Sequence, residues 1–151
     1  MRTYLVVVDE KDEARVALRF AARRAAKTGG AVEILALIAP AEFVQWGGVQ
    51  AAMEEEALLR AEALVAQVAG ELIEETGLRP LITVRQGEPV ALVRAVLTDR
   101  PDTAALVLGA PAAGPPGPLL AHITGTEVGA MPCPVMIIPG SLSDEALDRL
   151  S

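Results

Sequence analysis

Rings, thiols and imidazoles are scarce in this chain of 151 residues. Aromatic residues make up 3% of it, which leaves few platforms on which single-stranded nucleic acid could stack. The formal net charge of −7 makes the average field repel nucleic acid and anionic lipid. Cys133 and His122 each stand alone, so neither an intramolecular disulfide nor a Cys/His metal cluster can form, and a reducing cytoplasm is the expected compartment. No apolar run approaches the roughly 18 residues of a membrane span. The first residues read as a strand rather than a charged and then apolar leader, so a soluble protein without a membrane partner is expected. Three enzyme signatures are also missing. Gly-x-Gly-x-x-Gly is absent from the first strand-to-helix turn, against a dinucleotide oxidoreductase, and no Gly-x-Ser-x-Gly elbow occurs. The third strand ends at Val84-Arg85-Gln86, without the second aspartate that a phosphoacceptor receiver needs.

What the chain does contain is aliphatic bulk. Hydrophobic residues supply 52% and charged residues 22%, values of a globular domain with no polar low-complexity segment. A core of Ala, Val, Leu and Ile suits helices packed on a parallel sheet. One domain over residues 1–140 is expected, with a tail over 141–151 that forms a short helix at about 143–150, started by Ser143 and Asp144.

The segment 3–8 is an apolar β-rich run that ends at Asp9, and a helix over 11–27 follows, stopped by Thr28-Gly29-Gly30. Further strands are expected at 32–38, 81–84, 104–108 and 135–138. Helices are expected at 50–76, 88–99 and 119–130. Glu54, Glu55 and Glu56 are placed near the amino end of the long helix, where its dipole favours anions. Its apolar face is read as Leu58, Leu64, Val65, Val68 and Leu72. Pro89 suits a first helical turn, which has no hydrogen bond to lose. Lys11, Arg15, Arg19 and Arg23 recur every four residues and read chiefly as a solvated helix face opposite Val16 and Phe20, with a partner-docking face as the other reading. Trp46-Gly47-Gly48 lies in the least regular stretch, 39–48, either as packing under the long helix or as a lid. Strict alternation of strand and helix implies an α/β fold: a five-stranded, mainly parallel sheet with helices on both faces. In such sheets a ligand sits beyond the carboxyl ends of the strands at the switch point, which directs attention to Asp9 and Gly109.

Asp9, Gly87-Glu88-Pro89 ahead of a helix, Leu106-Val107-Leu108-Gly109 and Pro132-Cys133-Pro134 leading through Val135-Met136-Ile137-Ile138 to Pro139 occur in an order and spacing that resembles the universal stress proteins over roughly residues 2–139. The resemblance implies a Rossmann-like sheet of order 3-2-1-4-5, like that of the adenine nucleotide alpha hydrolases. It also implies a homodimer joined through the last strand, Val135, Met136, Ile137 and Ile138. Some members bind ATP through a Gly, two residues, a second Gly, nine residues, then Gly with Ser or Thr. Small residues there let backbone N–H groups approach phosphate oxygens at a helix start.

Mapped by that resemblance, Gly109 takes the first glycine position, Asp9 lies near the nucleoside and Ile38 borders adenine. The second glycine falls on Ala112, or on Gly114 in a shifted loop. Counting back from Pro132 places the final pair on Ala121 and His122, with Ile123 and Thr124 still compatible. Between Gly109 and Leu119 stand Pro111, Pro115, Pro116 and Pro118, none with an N–H for a phosphate, and no Lys or Arg occurs between Arg100 and Arg149. Two tasks are open to Asp9, capping the next helix or touching a ligand. His122 is read chiefly as a helix-surface or dimer-contact residue, with a pH-dependent phosphate contact as its other reading. Cys133, between two prolines, is read as a strand-entry residue and not a nucleophile. The leading expectation is a non-catalytic, dimeric stress-response module whose nucleotide site is degenerate, with no cofactor. The alternative is an ATP- or AMP-binding switch or slow ATPase that uses the crevice between strands one and four. No catalytic residue and no metal site is assigned.

Overall fold

The computed structural model describes residues 1–38 and 47–151. In chain order they form β1 (Thr3–Val8), α1 (Asp12–Thr28), β2 (Ala31–Ile38), α2 (Gly47–Thr76), β3 (Leu81–Gln86), α3 (Pro89–Asp99), β4 (Thr103–Ala110), α4 (Pro118–Ile123), β5 (Val135–Pro139) and α5 (Asp144–Leu150). The sheet order is β3-β2-β1-β4-β5, and all four pairings are parallel, as the fold class and the family resemblance require. Trp46, with its two readings, lies outside the described residues, whereas Gly47 and Gly48 open α2.

Strand period two divides the core into two layers. Tyr4, Val6 and Val8 of β1 pack with Ala17, Ala21 and Ala25 of α1 and Val65, Val68 and Leu72 of α2 on one face. On the other face, Leu5 of β1, Leu35 of β2 and Leu106 and Leu108 of β4 pack with Val93, Val96 and Leu97 of α3 and with Leu120 and Ile123 of α4. Each fully buried large aliphatic side chain contributes about 1.5–3 kcal/mol. Alanines at the α1 contact let that helix approach the sheet closely.

Several boundaries differ from expectation. Because α2 starts at Gly47, Glu54 to Glu56 lie beyond its first turn, which contains no acid; the helix dipole, confined to the terminal turn, does not act on them. Leu58 is 41% exposed while Ala69 is buried, so the inward face of α2 belongs to its second half. The helix expected over 119–130 ends at Ile123, and a 3-10 turn covers Val128–Ala130. Thr124 bends its hydroxyl back to the Leu120 carbonyl at 2.8 Å, and Gly125 follows at about 1 kcal/mol below alanine in helix preference. β4 continues through Gly109 to Ala110, which pair with Ile138 and Pro139.

The basic face of α1 is not simply solvated. Arg19 reaches Glu75 of α2 and Asp144 and Asp148 of α5, and Arg23 pairs with Asp148. Ser143 caps α5 by accepting from the Ala146 N–H at 3.1 Å, and Leu147 is 1% exposed in the core. The arginines thus hold the last helix against the first. A buried acid, Glu33 of β2, accepts from Thr83 Oγ1 at 2.8 Å and from Arg100 Nε at 3.2 Å. That partnership offsets the cost of burying its charge.

Candidate functional site: the crevice between the first and fourth strands

β1 is the point from which the chain builds outward in both directions, to β2 on one side and β4 on the other. Neighbouring crossovers leave in opposite directions there, and a gap opens beyond the strand ends. The gap is a cleft of about 250 Å³ whose lining includes Asp9, Lys11, Gly109, Pro111, Gly117 and Pro118. An adjoining cleft of about 390 Å³ lies on the other side of the β1 tip and includes Asp9, Lys11, Ile38 and Arg60. Asp9 therefore shares one hollow with Gly109 and the next with Ile38.

Asp9 Oδ1 accepts the backbone N–H of Lys11 at 2.9 Å, the local turn that an aspartate two residues upstream makes readily. It shapes the approach to α1 without capping it, since Lys11 is the N-cap residue and offers no side-chain cap bond. Gly109 has a packing reason as well as a mapped one. A Cβ there would fall on the carbonyl oxygen of Glu13 and 2.5 Å from its carbon, so the first turn of α1 can lie against β4 only over a glycine. Gly140 repeats the device, with an added Cβ 2.7 Å from the Ala110 oxygen.

The remaining mapped positions do not line the cleft. Ala112 and Gly114 lie on the exposed loop, Gly114 at a φ of 85°. Ala121 to Ile123 belong to the body of α4, whose first residue is Pro118. The Ala121 N–H donates to Gly117 O and the Thr124 N–H to Leu120 O, each at 3.0 Å, and Gly125 N–H donates to His122 O at 3.2 Å. Ile123 is 2% exposed in the core. The Thr124 hydroxyl is taken by Leu120 O. The residues of this segment that border the cleft are Gly117 to Leu120, four positions earlier.

His122 faces Glu127, Nε2 to Oε2 at 3.1 Å. Glu127 also pairs with Arg94 of α3, and these two partners, Arg94 first, hold its carboxyl below the ordinary glutamate value. Glu88 caps α3, its oxygens accepting from Ala91 N at 2.8 Å and Val90 N at 3.0 Å. Those two donors, Ala91 foremost, lower its pKa, and His122 adds a smaller effect. This cluster ties α4 and the turn after it to α3, behind the cleft wall. Burial pushes the Cys133 thiol up, the direction that suits a strand-entry residue rather than a nucleophile.

Lys11 is the residue that sequence reasoning placed elsewhere. Its ammonium lies 3.6 Å from the point where a side chain on Gly117 would begin, and so approaches the segment between Arg100 and Arg149 that contains no Lys or Arg. Its position two residues after Asp9 was the available signal. Among the described residues no group of three or more His, Cys, Asp or Glu could hold a metal ion, and no helix is long and apolar enough to cross a membrane.

A parallel sheet in this order, with a crevice at its switch point, defines an open α/β fold. The sequence model of the universal stress protein family matches residues 1–139, and the chain belongs to that family. No curated protein matches the sequence. Among solved structures, universal stress protein UspA from Lactobacillus plantarum is similar at a TM-score of 0.77 and 18% identity, covering 91% of this chain and 97% of that one. The universal stress protein from Archaeoglobus fulgidus in complex with dAMP gives 0.58 and 21%, covering 91% and 97%. A family member from Arabidopsis thaliana with AMP bound gives 0.60 and 15%, covering 96% and 95%. Identities at this level are likenesses of fold.

Proposed function

We propose that this chain is a non-catalytic, dimeric, cytoplasmic module of the stress response whose crevice is a degenerate nucleotide site, with room for an adenine mononucleotide and a poor grip on a triphosphate. The observation that carries the reading is the commitment of residues 121–124. The N–H groups of Ala121 and Thr124 and the Thr124 hydroxyl all bond within the α4 segment, so they are not aimed at a phosphate as an anion site requires. Prolines occupy much of the loop ahead of them. The mononucleotide part of the reading draws on relatives solved with dAMP and with AMP. Calorimetry with the intact protein tests it: AMP is expected to bind more tightly than MgATP, and the reverse order overturns the degenerate site.

The dimer follows from family resemblance, which selects the last strand. β5 is an edge of the sheet, Ile137 is 43% exposed on it, and an unpaired edge strand can accept a partner strand. Sedimentation is expected to give a dimer that Ile137→Lys converts to monomer. A monomeric wild-type protein would refute this part.

The alternative reading, an ATP- or AMP-binding switch or slow ATPase in the same crevice, is favoured by Lys11, which supplies a cation where the loop has none. ATP or ADP released from the purified, denatured protein would support it, as would slow phosphate release from MgATP lost in Asp9→Ala.

A further inference from the structure

We infer that Lys11 is the charge selector of the crevice, its ammonium receiving the single phosphate of a mononucleotide while no second cation of the β1/β4 cleft receives another. This inference rests on the reading that the crevice takes an adenine mononucleotide. Three observations carry it. Among the described residues Lys11 is the one basic residue on the lining of the β1/β4 cleft, which it shares with the acids Asp9 and Glu13. Among the same residues its ammonium makes no ion pair, although acids surround it in sequence at Asp9, Glu10, Asp12 and Glu13. It extends toward Gly117, reaching within 3.6 Å of where that residue's side chain would start, and so spans from the α1 wall toward the α4 wall.

On the α1 side, part of the backbone is already committed. The Lys11 N–H is held by Asp9, the Ala14 N–H by the Lys11 carbonyl at 3.1 Å, and Pro111 and Pro118 have no N–H. One ammonium among carboxylates favours one nearby anionic group. Additional phosphates would meet Asp9 and Glu13 without a further cation in this cleft, and like charges at short range repel.

The test compares adenosine, AMP and MgATP by calorimetry on the intact wild-type protein and on Lys11→Gln, Lys11→Arg and Lys27→Gln. Lys27 sits at the far end of α1, where it bonds Asp148 O at 2.5 Å, so its variant removes the same charge outside the crevice. Wild type is expected to prefer AMP over adenosine by about fivefold, the scale of an exposed charge pair. Lys11→Gln should erase that preference with adenosine affinity unchanged, while Lys11→Arg and Lys27→Gln keep it. Added salt should shrink the preference in wild type and in the two variants that retain it. An unchanged AMP-to-adenosine ratio in Lys11→Gln, or an equal loss in Lys27→Gln, overturns the role of Lys11 while the crevice reading stands. Wild-type protein that binds neither adenosine nor AMP overturns both.

Discussion

The two walls of the crevice are built from the same kind of unit, a strand feeding a helix, and they differ in almost every polar respect. The β1–α1 wall carries Asp9 and Lys11, with a side-chain-to-backbone bond between them. The β4–α4 wall presents Gly109, Pro111, Gly117, Pro118 and three leucines, Leu108, Leu119 and Leu120. The difference teaches where recognition can reside. In the proposed reading, side-chain contacts with a ligand come mainly from the first wall, and the side chains of the second contribute shape and apolar surface. The walls are also mechanically joined, because the missing side chain at Gly109 lets α1 touch β4.

That junction is the first place to break the comparison. Gly109→Val should be the most damaging change, since its side chain would overlap the Glu13 backbone. A loss of about 3 kcal/mol or more is expected, at the upper end of overpacking, read from urea denaturation. Ile123→Ala comes next, at about 3 kcal/mol for a buried aliphatic truncation. A near-neutral result would mean that position 123 is not the core residue described above. Gly114→Ala has open space around it but a φ of 85°, so a cost of about 1 kcal/mol from backbone strain alone is expected. It should leave AMP affinity unchanged if the loop tip stands apart from the ligand.

The smallest effect concerns the cluster behind the second wall. Glu88 and Glu127 have folded pKa values held below the ordinary glutamate value of 4.5. Their contribution is fully present above the unfolded value and is lost as the pH falls through the folded one. Glu127→Gln should therefore lower stability slightly at neutral pH and flatten the decline below about pH 4.5, the ordinary glutamate range. Unfolding curves that keep the wild-type acid slope would remove the cluster from the account of that wall.

Local patterns made much of the fold legible. The run Tyr4 to Val8, the stop at Gly29 and the Glu88-Pro89 helix start each depend on near neighbours, and each appears close to its expected place. Strand order was not available from periodicity and entered through the family resemblance. The misplaced features depend on distant partners or local competition. Arg19 and Arg23 read as solvated because Asp144 and Asp148 are far away in sequence. Counting back from Pro132 by the family spacing put the final pair on Ala121 and His122, and that count carried no information on where α4 begins, at Pro118. Lys11 followed the four-residue repeat of the α1 surface, yet its reach to Gly117 is a tertiary fact.

The most direct measurement is a calorimetric comparison of AMP and MgATP binding to the intact protein. AMP is expected to bind more tightly, with no gain from the added phosphates. MgATP binding more tightly than AMP would contradict a crevice with polar grip on one wall alone.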